Sequence, residues 1–375
     1  MQIVPWLEAG GAERTTVDMA GAIEREGFRS LVVSEGGRMV KELEAVGAEW
    51  IPLCVSPKSL VLIIVNAFRL KRIIKNENVK LVHARSRAPA WSALLAARMA
   101  HVPFVTTYHG IYKASNALKR WYNSVMVRGD AVIANSEWTA AHIAKEYSRP
   151  IKRLTVIPRG VNLETLNPDN VAPARVRGLR SQWNAKDGDT VILLPGRLTR
   201  WKGQIVLIEA LSQLKSQGRL GNLVAVFAGD AQGRGAYVTK LRKTIKTWGL
   251  DDVASIPGHV SDMAAAYLAA DIVVSASTDP EAFGRVPAEA GVMGKPVIAT
   301  DHGGARETVV PDISGLLIPP GDATLLAEAL EKLIETGPEG RAEMGLEGQS
   351  HVRAHYTLDR MCAETIALYR TLLPN

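Results

Sequence analysis

The chain of 375 residues holds two cysteines, Cys54 and Cys362, in opposite terminal segments. That excludes a disulfide framework and a cysteine zinc centre, and it fits a reducing compartment. Long apolar runs are missing too. The longest, Leu60 to Phe68, is interrupted by Asn66 and falls far short of a membrane span of about 20 residues. Met1 leads straight into Gln2-Ile3-Val4-Pro5, without the basic start and apolar core of a secretory signal, so none is expected. There is no Walker A loop, Gly-x-Ser-x-Gly elbow or RNP motif, and no His/Cys/Asp cluster at metal-ligand spacing. Asp187-Gly188-Asp189 has the Asp-x-Asp form of some metal sites. It precedes a strand at its amino end, away from any ligand crevice, and reads as a polar turn.

Acids are scarce in one region. Between Lys58 and Arg128 there are 13 Lys/Arg against the single acid Glu77. Residues 1–168 carry 23 Lys/Arg against 14 Asp/Glu, whereas the remainder carries 22 against 24. A one-sided field of that size points to an anionic partner: lipid, polyanionic glycan or nucleic acid. Aromatic-interleaved basic motifs and a recognition helix are absent, which disfavours nucleic acid. The segment Lys58–Lys75 reads as an amphipathic helix with an apolar face (Leu60, Ile63, Ile64, Phe68) beside Arg69, Lys71, Arg72 and Lys75.

What is present is ordinary globular composition, 47% hydrophobic and 22% charged, at a length that suits two domains. Residues 1–168 alternate strands (Gln2–Pro5, Ser30–Ser34, Lys80–His83, Pro103–Thr107, Ala131–Ala134) with helical segments. A Gly/Pro/Asn-rich stretch from Arg159 to Pro173 reads as a linker. A second series comes after it, with strands at Val191–Pro195, Val224–Gly229, Ala254–Pro257, Ile272–Ser275, Pro296–Thr300 and Gly315–Ile318. The alternation predicts α/β architecture with two parallel sheets, in residues 1–168 and 169–357.

The most informative segment is Asp279-Pro280-Glu281-Ala282-Phe283-Gly284-Arg285-Val286-Pro287-Ala288-Glu289. Glu281 falls in the loop at the carboxyl end of a buried strand. Glu289 falls in the first turn of the next helix, where unpaired amides and the macrodipole favour anions. Carboxylates accept from sugar hydroxyls, and the amides of Phe283, Gly284 and Val286 can meet phosphate. Gly196-Arg197-Leu198-Thr199-Arg200-Trp201-Lys202-Gly203 comes directly after the first strand of the second series, and Arg197 and Lys202 suit a diphosphate. Glu8-Ala9-Gly10-Gly11-Ala12-Glu13-Arg14 is a glycine turn opening a helix, but not a dinucleotide fingerprint. His109 and His83 each end a strand, and His259 comes after Pro257-Gly258.

These motifs, in order along nearly the whole chain, resemble the retaining glycosyltransferases of family 4. The resemblance implies the GT-B architecture, two Rossmann-like domains facing a central cleft, with the C-terminal helix of residues 358–375 packing back on the first domain. It implies Glu281 and His109 as catalytic residues at the reacting sugar. Donor contacts would come from Gly11, Arg197, Lys202, His259, Phe283, Gly284, Val286 and Glu289, with no cofactor and no essential metal. The expected activity is transfer of a hexose, with retention, from a nucleotide-sugar to a lipid-linked or lipopolysaccharide-type glycan. The protein is expected to be cytoplasmic and attached peripherally to an anionic membrane surface. Arg159-Gly160-Val161-Asn162 replaces the commoner Asn-Gly-Val-Asp of the family. A sugar-nucleotide epimerase of the same fold and a basic nucleic-acid-binding protein remain as alternatives, and the oligomeric state is open.

Overall fold

The computed structural model describes residues 1–8, 10–112, 114–147 and 150–373. Among them no helix is long and apolar enough to cross a membrane. The chain divides into two compact units, Met1–Gly160 with Leu358–Asn375, and Val161–Thr357.

The first unit holds seven strands: β1 (Gln2–Ile3), β2 (Leu31–Ser34), β3 (Glu49–Pro52), β4 (Val82–Ala84), β5 (Phe104–Tyr108), β6 (Ala131–Ala134) and β7 (Leu154–Val156). They form one parallel sheet in the order β3-β2-β1-β4-β5-β6-β7. The second unit holds β8 (Thr190–Pro195), β9 (Leu223–Ala228), β10 (Ala254–Gly258), β11 (Ile272–Ser275), β12 (Val297–Thr300) and β13 (Gly315–Ile318). Its sheet is also parallel, in the order β10-β9-β8-β11-β12-β13. In both, the order reverses beside the first strand, which is where such sheets bind ligands.

Helices cover both faces of each sheet, so the strands are apolar on both sides. Ile272 and Val274 face one core cluster of the second unit and Val273 faces the other. The unit boundary lies eight residues before the expected 168/169. Val161 joins the second unit's core, and Leu163 and Leu166 pack on it, so this part of the Gly/Pro/Asn-rich stretch is anchored rather than spanning. The sequence pattern did not reveal β3 and β7. Both are edge strands; β3 begins at an exposed Glu49 and ends at an exposed Pro52, chemistry that an edge tolerates and a central strand does not.

Two helices of the first unit carry surfaces of their own. Leu60–Asn76 turns Ile63, Asn66, Ala67, Leu70 and Ile74 inward. The apolar face of this helix is therefore split: Ile63 is buried, but Leu60, Ile64 and Phe68 are 70%, 53% and 58% exposed. The helix Leu358–Arg370 packs Met361, Cys362, Ile366, Leu368 and Tyr369 against Met19, Ala22, Leu81, Val105 and Ile133 of the first unit. Truncating one of its buried side chains leaves a cavity under that sheet. Ile366→Ala is expected to cost about 2–5 kcal/mol, read as a lower midpoint in urea unfolding of the first unit.

Candidate active site

The chemistry-bearing residues of the second unit sit on three loops at the carboxyl ends of β8, β11 and β12. Gly203 closes the loop after β8 and starts the helix Gln204–Ser216. Its φ is +74°, and a Cβ there would lie 1.8 Å from the Ala276 carbonyl oxygen, so only glycine allows this approach to the β11 loop. Trp201 ties the same two loops: its carbonyl accepts from Thr278 N–H at 2.8 Å.

The approach brings Lys202 to Glu281. The ammonium meets Oε1 at 2.8 Å, with the two side chains only 12% and 13% exposed. Ser277, itself buried, donates its hydroxyl to the same oxygen. Burial would raise the Glu281 pKa, but the Lys202 charge and the hydrogen bonds from Lys202 and Ser277 outweigh it. The carboxyl is held below its ordinary range. Gly304 N–H donates to the Glu281 carbonyl at 2.8 Å, and a ring nitrogen of His302 meets the Ser277 carbonyl at 2.9 Å. Glu281 is thus fixed at backbone and side chain, with Oε2 left to accept.

Glu289 lies in the second turn of the helix Arg285–Val292 rather than the expected first, and it is held as firmly. Tyr267 donates its hydroxyl to Oε2 at 2.7 Å, and Arg285 Nε pairs with Oε1 at 2.7 Å. Burial first, then the neighbouring Glu289 charge, raises the Tyr267 pKa well above its usual value, so the phenol stays protonated and donates. Each carboxylate oxygen keeps a lone pair for a ligand hydroxyl. Gly284, at φ +84°, precedes the helix Arg285–Val292, and a Cβ on it would meet Ala305 Cα at 2.6 Å. The first-turn amide of Val286 has no carbonyl within its own helix to bond. Phe283 is buried against Tyr356, so only its backbone faces the loop's chemistry.

The remaining candidates are spread over both units. Arg197 is exposed, its guanidinium 5.9 Å from the Trp201 ring. Lys202, unlike the exposed Arg197, is largely buried and paired with Glu281. His259 is exposed just past β10. In the first unit, Gly11 carries the Arg159 guanidinium: Nη2 donates to its carbonyl at 2.9 Å, and a Cβ would lie 2.3 Å from Nη1. Glu13 accepts from Gly10 N–H and so ties the helix start, while Arg14 pairs with Glu42. His109 lies past β5 with both ring nitrogens enclosed. His83 is buried between the Tyr369 hydroxyl and Thr107 Oγ1 and holds the C-terminal helix. Asp189 accepts from Lys186 N–H in the turn before β8. Among the described residues no three His, Cys, Asp or Glu gather as a metal site would need.

Sequence reasoning missed three holders of the carboxylates. Ser277 stands four residues before Glu281 and Arg285 four before Glu289, the latter the spacing of one helix face. Tyr267 comes from a separate helix, Met263–Ala269, and carried no local signal.

Two parallel Rossmann-like units, with one acid in the loop after β11 and a second in the helix that follows, are the architecture of a GT-B glycosyltransferase. Family models agree: "Glycosyl transferases group 1" matches residues 177–351 and "Glycosyltransferase Family 4" matches residues 9–165. A glycosyltransferase from Rickettsia africae is 33% identical, with a TM-score of 0.91 over 100% of this chain and 99% of that one. HepE of Anabaena, solved with UDP and glucose, is 26% identical, with a TM-score of 0.86 over 99% of both chains. The GDP-mannose-dependent alpha-(1-6)-phosphatidylinositol monomannoside mannosyltransferase of Mycobacterium tuberculosis is 30% identical, over 79% of this chain and 77% of the relative. The chain belongs to glycosyltransferase family 4.

The Lys202–Glu281 pair sets an expectation for acid stability. The Glu281 pKa is lower folded than unfolded, so its contribution is complete above the ordinary carboxylate range of about 4.3 and is lost as pH falls through the folded value. Glu281→Ala leaves Lys202 buried without its partner and is expected to cost about 3–5 kcal/mol at neutral pH. Urea unfolding between pH 3 and 7 should show the variant and the native chain converging at the acid end.

Proposed function

We propose that this glycosyltransferase moves a hexose from a nucleotide-sugar, with retention and without an essential metal, to a lipid-linked or lipopolysaccharide-type glycan at an anionic membrane surface. The observation that carries the donor half is the pair of carboxylates, each held by two protein donors and each with acceptor capacity left, beside the open first turn of Arg285–Val292. Glu281 orients the sugar through its hydroxyls and offsets positive charge developing at the reacting carbon. Glu289 holds the ribose hydroxyls. Arg197, Lys202, Gly11 and the Phe283–Val286 amides meet charge growing on the leaving diphosphate. His109 and His259 complete the contacts, to sugar and base respectively. Among relatives, HepE was solved with UDP and glucose, which supports a nucleotide-sugar here.

The acceptor half rests on the first unit's surface. Leu60, Val61, Leu62, Ile64, Val65 and Phe68 are exposed along one helix, and its later turns expose Arg69, Arg72 and Lys75. Leu118 and Trp121, 75% and 50% exposed, stand on the helix Ala117–Asn123 with Lys119 and Arg120. Trp121 stacks on Trp91, and Ser92 bonds the Ile63 carbonyl, so the helix Arg87–Ala100 joins the two exposed faces. Apolar side chains flanked by cations suit the lipid headgroup boundary. The mycobacterial relative's phosphatidylinositol-based acceptor is consistent with that reading.

Donor chemistry is tested with UDP- and GDP-sugars. Glu281→Gln should abolish transfer while nucleotide affinity changes little, because its contacts matter most at the reacting sugar. Glu289→Gln should instead weaken nucleotide binding. Arg197→Ala should cost roughly 10- to 150-fold in diphosphate affinity, from about 1.5–3 kcal/mol for one charged hydrogen bond. Activity should survive EDTA, and the product anomer read by NMR should match the donor's. Near-native turnover in Glu281→Gln sinks the assignment.

Attachment is tested by co-sedimentation with anionic and neutral vesicles across a salt series. Each surface Lys/Arg contributes on the order of 1 kcal/mol near such lipids, so binding should be reversible and released by salt. Ile64→Glu with Phe68→Glu should abolish it. No binding to anionic vesicles at low salt would leave a soluble acceptor as the better reading; binding to duplex DNA alone would favour nucleic acid.

A further inference from the structure

Tyr356 stands next to the end of the second unit, which runs from Val161 to Thr357. The two ends of that unit pair there: Val161 bridges Thr357, and Val161 N–H donates to the Tyr356 carbonyl at 2.8 Å. Tyr356 also closes the long helix Gly337–His355, its own N–H donating to the Val352 carbonyl at 2.8 Å. Its side chain is 9% exposed and joins the unit's core. The ring meets Phe283 edge-on at 5.6 Å between centroids, and the hydroxyl donates to the Glu307 carbonyl at 2.6 Å. His351, on the same long helix, brings Nε2 to that carbonyl at 3.0 Å.

Glu307 lies in Ala305–Thr308, a helix of one turn that cannot bond its own last carbonyls. Tyr356 and His351 supply two donors to one of them, and a carbonyl has a lone pair for each. The other end of the short helix is pressed against the Glu281 segment. A Cβ on Gly303 would lie 2.4 Å from the Glu281 carbonyl oxygen and 2.7 Å from its nitrogen, and one on Gly304 would lie 2.6 Å from Phe283 Cα. Gly304 N–H donates to the Glu281 carbonyl at 2.8 Å. Backbones packed this closely transmit a displacement rather than absorb it. Glu289 takes its hold from Tyr267 and Arg285 instead.

We propose that Tyr356 is a positioning residue for the transfer reaction. Through the Glu307 carbonyl it holds the helix Ala305–Thr308, and through that helix it sets the place of Glu281. It acts by way of the backbone and not on the reacting atoms. Its own carbonyl seats Val161, so one residue joins the unit's point of entry to the catalytic carboxylate. The catalytic role of Glu281 rests on the proposed glycosyl transfer; the mechanical link does not.

The experiment compares the full chain with Tyr356→Phe, His351→Ala and the double variant. Tyr356→Phe keeps the ring against Phe283 and the backbone bond to Val161, and removes only the hydroxyl. Amide hydrogen exchange without ligand, read by mass spectrometry, should quicken in residues 281–284 and 303–308 and stay native in β8 and β9. With whichever UDP- or GDP-sugar the native chain turns over, kcat should fall about tenfold, inside the roughly 100-fold that a misplacement of about 1 Å costs. Donor KM should stay within about twofold, because Glu281 matters most at the reacting sugar. His351→Ala should act in the same direction, and the double variant should lose more than either. A tyrosine that merely fills the core would lower the urea midpoint and leave kcat and the local exchange native; that result overturns the proposal, as does quickened exchange spread evenly over the unit. Should Tyr356→Phe fail to fold, His351→Ala reads the same carbonyl. A native chain that turns over no donor overturns the transfer reading, while the exchange result still decides the link.

Discussion

The contact between the loops after β8 and β11 is the constraint on which the second unit's chemistry depends. Gly203 must be glycine because the Ala276 carbonyl occupies the space of its Cβ. That closeness lets Lys202 reach Glu281 and Trp201 receive the Thr278 amide. An ion pair so nearly closed to water gains from Coulomb attraction only what desolvation does not remove. Here Ser277 supplies a further hydrogen bond to the loaded oxygen, and the other oxygen stays unloaded. The pair is better understood as a device that fixes a carboxylate's position and charge than as a source of stability.

Glu289 repeats the design with different parts. A buried phenol and an arginine on the same helix each take one oxygen. The two carboxylates are therefore preorganised before a ligand arrives, which limits what must be ordered on binding. The loop after β12 contributes through its backbone and a histidine, seating the Glu281 carbonyl and Ser277. Rigid groups at strand ends are what a site needs when the reacting centre develops charge over a short distance.

The first unit divides its polar groups between structure and opportunity. His83 is spent on Tyr369 and Thr107, joining the sheet to the C-terminal helix. Arg85, just past the same strand, is held by Gln2 at Nε, while its Nη2 has no partner among the described residues. On the unit's surface, the helix Leu60–Asn76 gives its buried side to small and aliphatic residues, leaving larger ones outside.

Much of this was legible in the chain. Alternating buried strands and helices fix two parallel sheets because both faces of each strand are apolar, and Glu281, Glu289, Arg197 and Lys202 announce themselves by type and spacing. The acid-poor stretch from Lys58 to Arg128 is equally a property of sequence. Edge strands were not legible, since Glu49–Pro52 and Leu154–Val156 bury too little to leave a pattern. Nor was the outward turn of Leu60, Ile64 and Phe68, because periodicity marks a face without saying which way it points. Only tertiary structure paired Lys202 with Glu281, brought Tyr267 to Glu289 and joined Arg85 to Gln2. Those contacts join residues 79, 22 and 83 positions apart, Gln2 being the far partner of Arg85. Local sequence carries propensity and pattern; which distant side chains meet is set by how the sheets stack their strands.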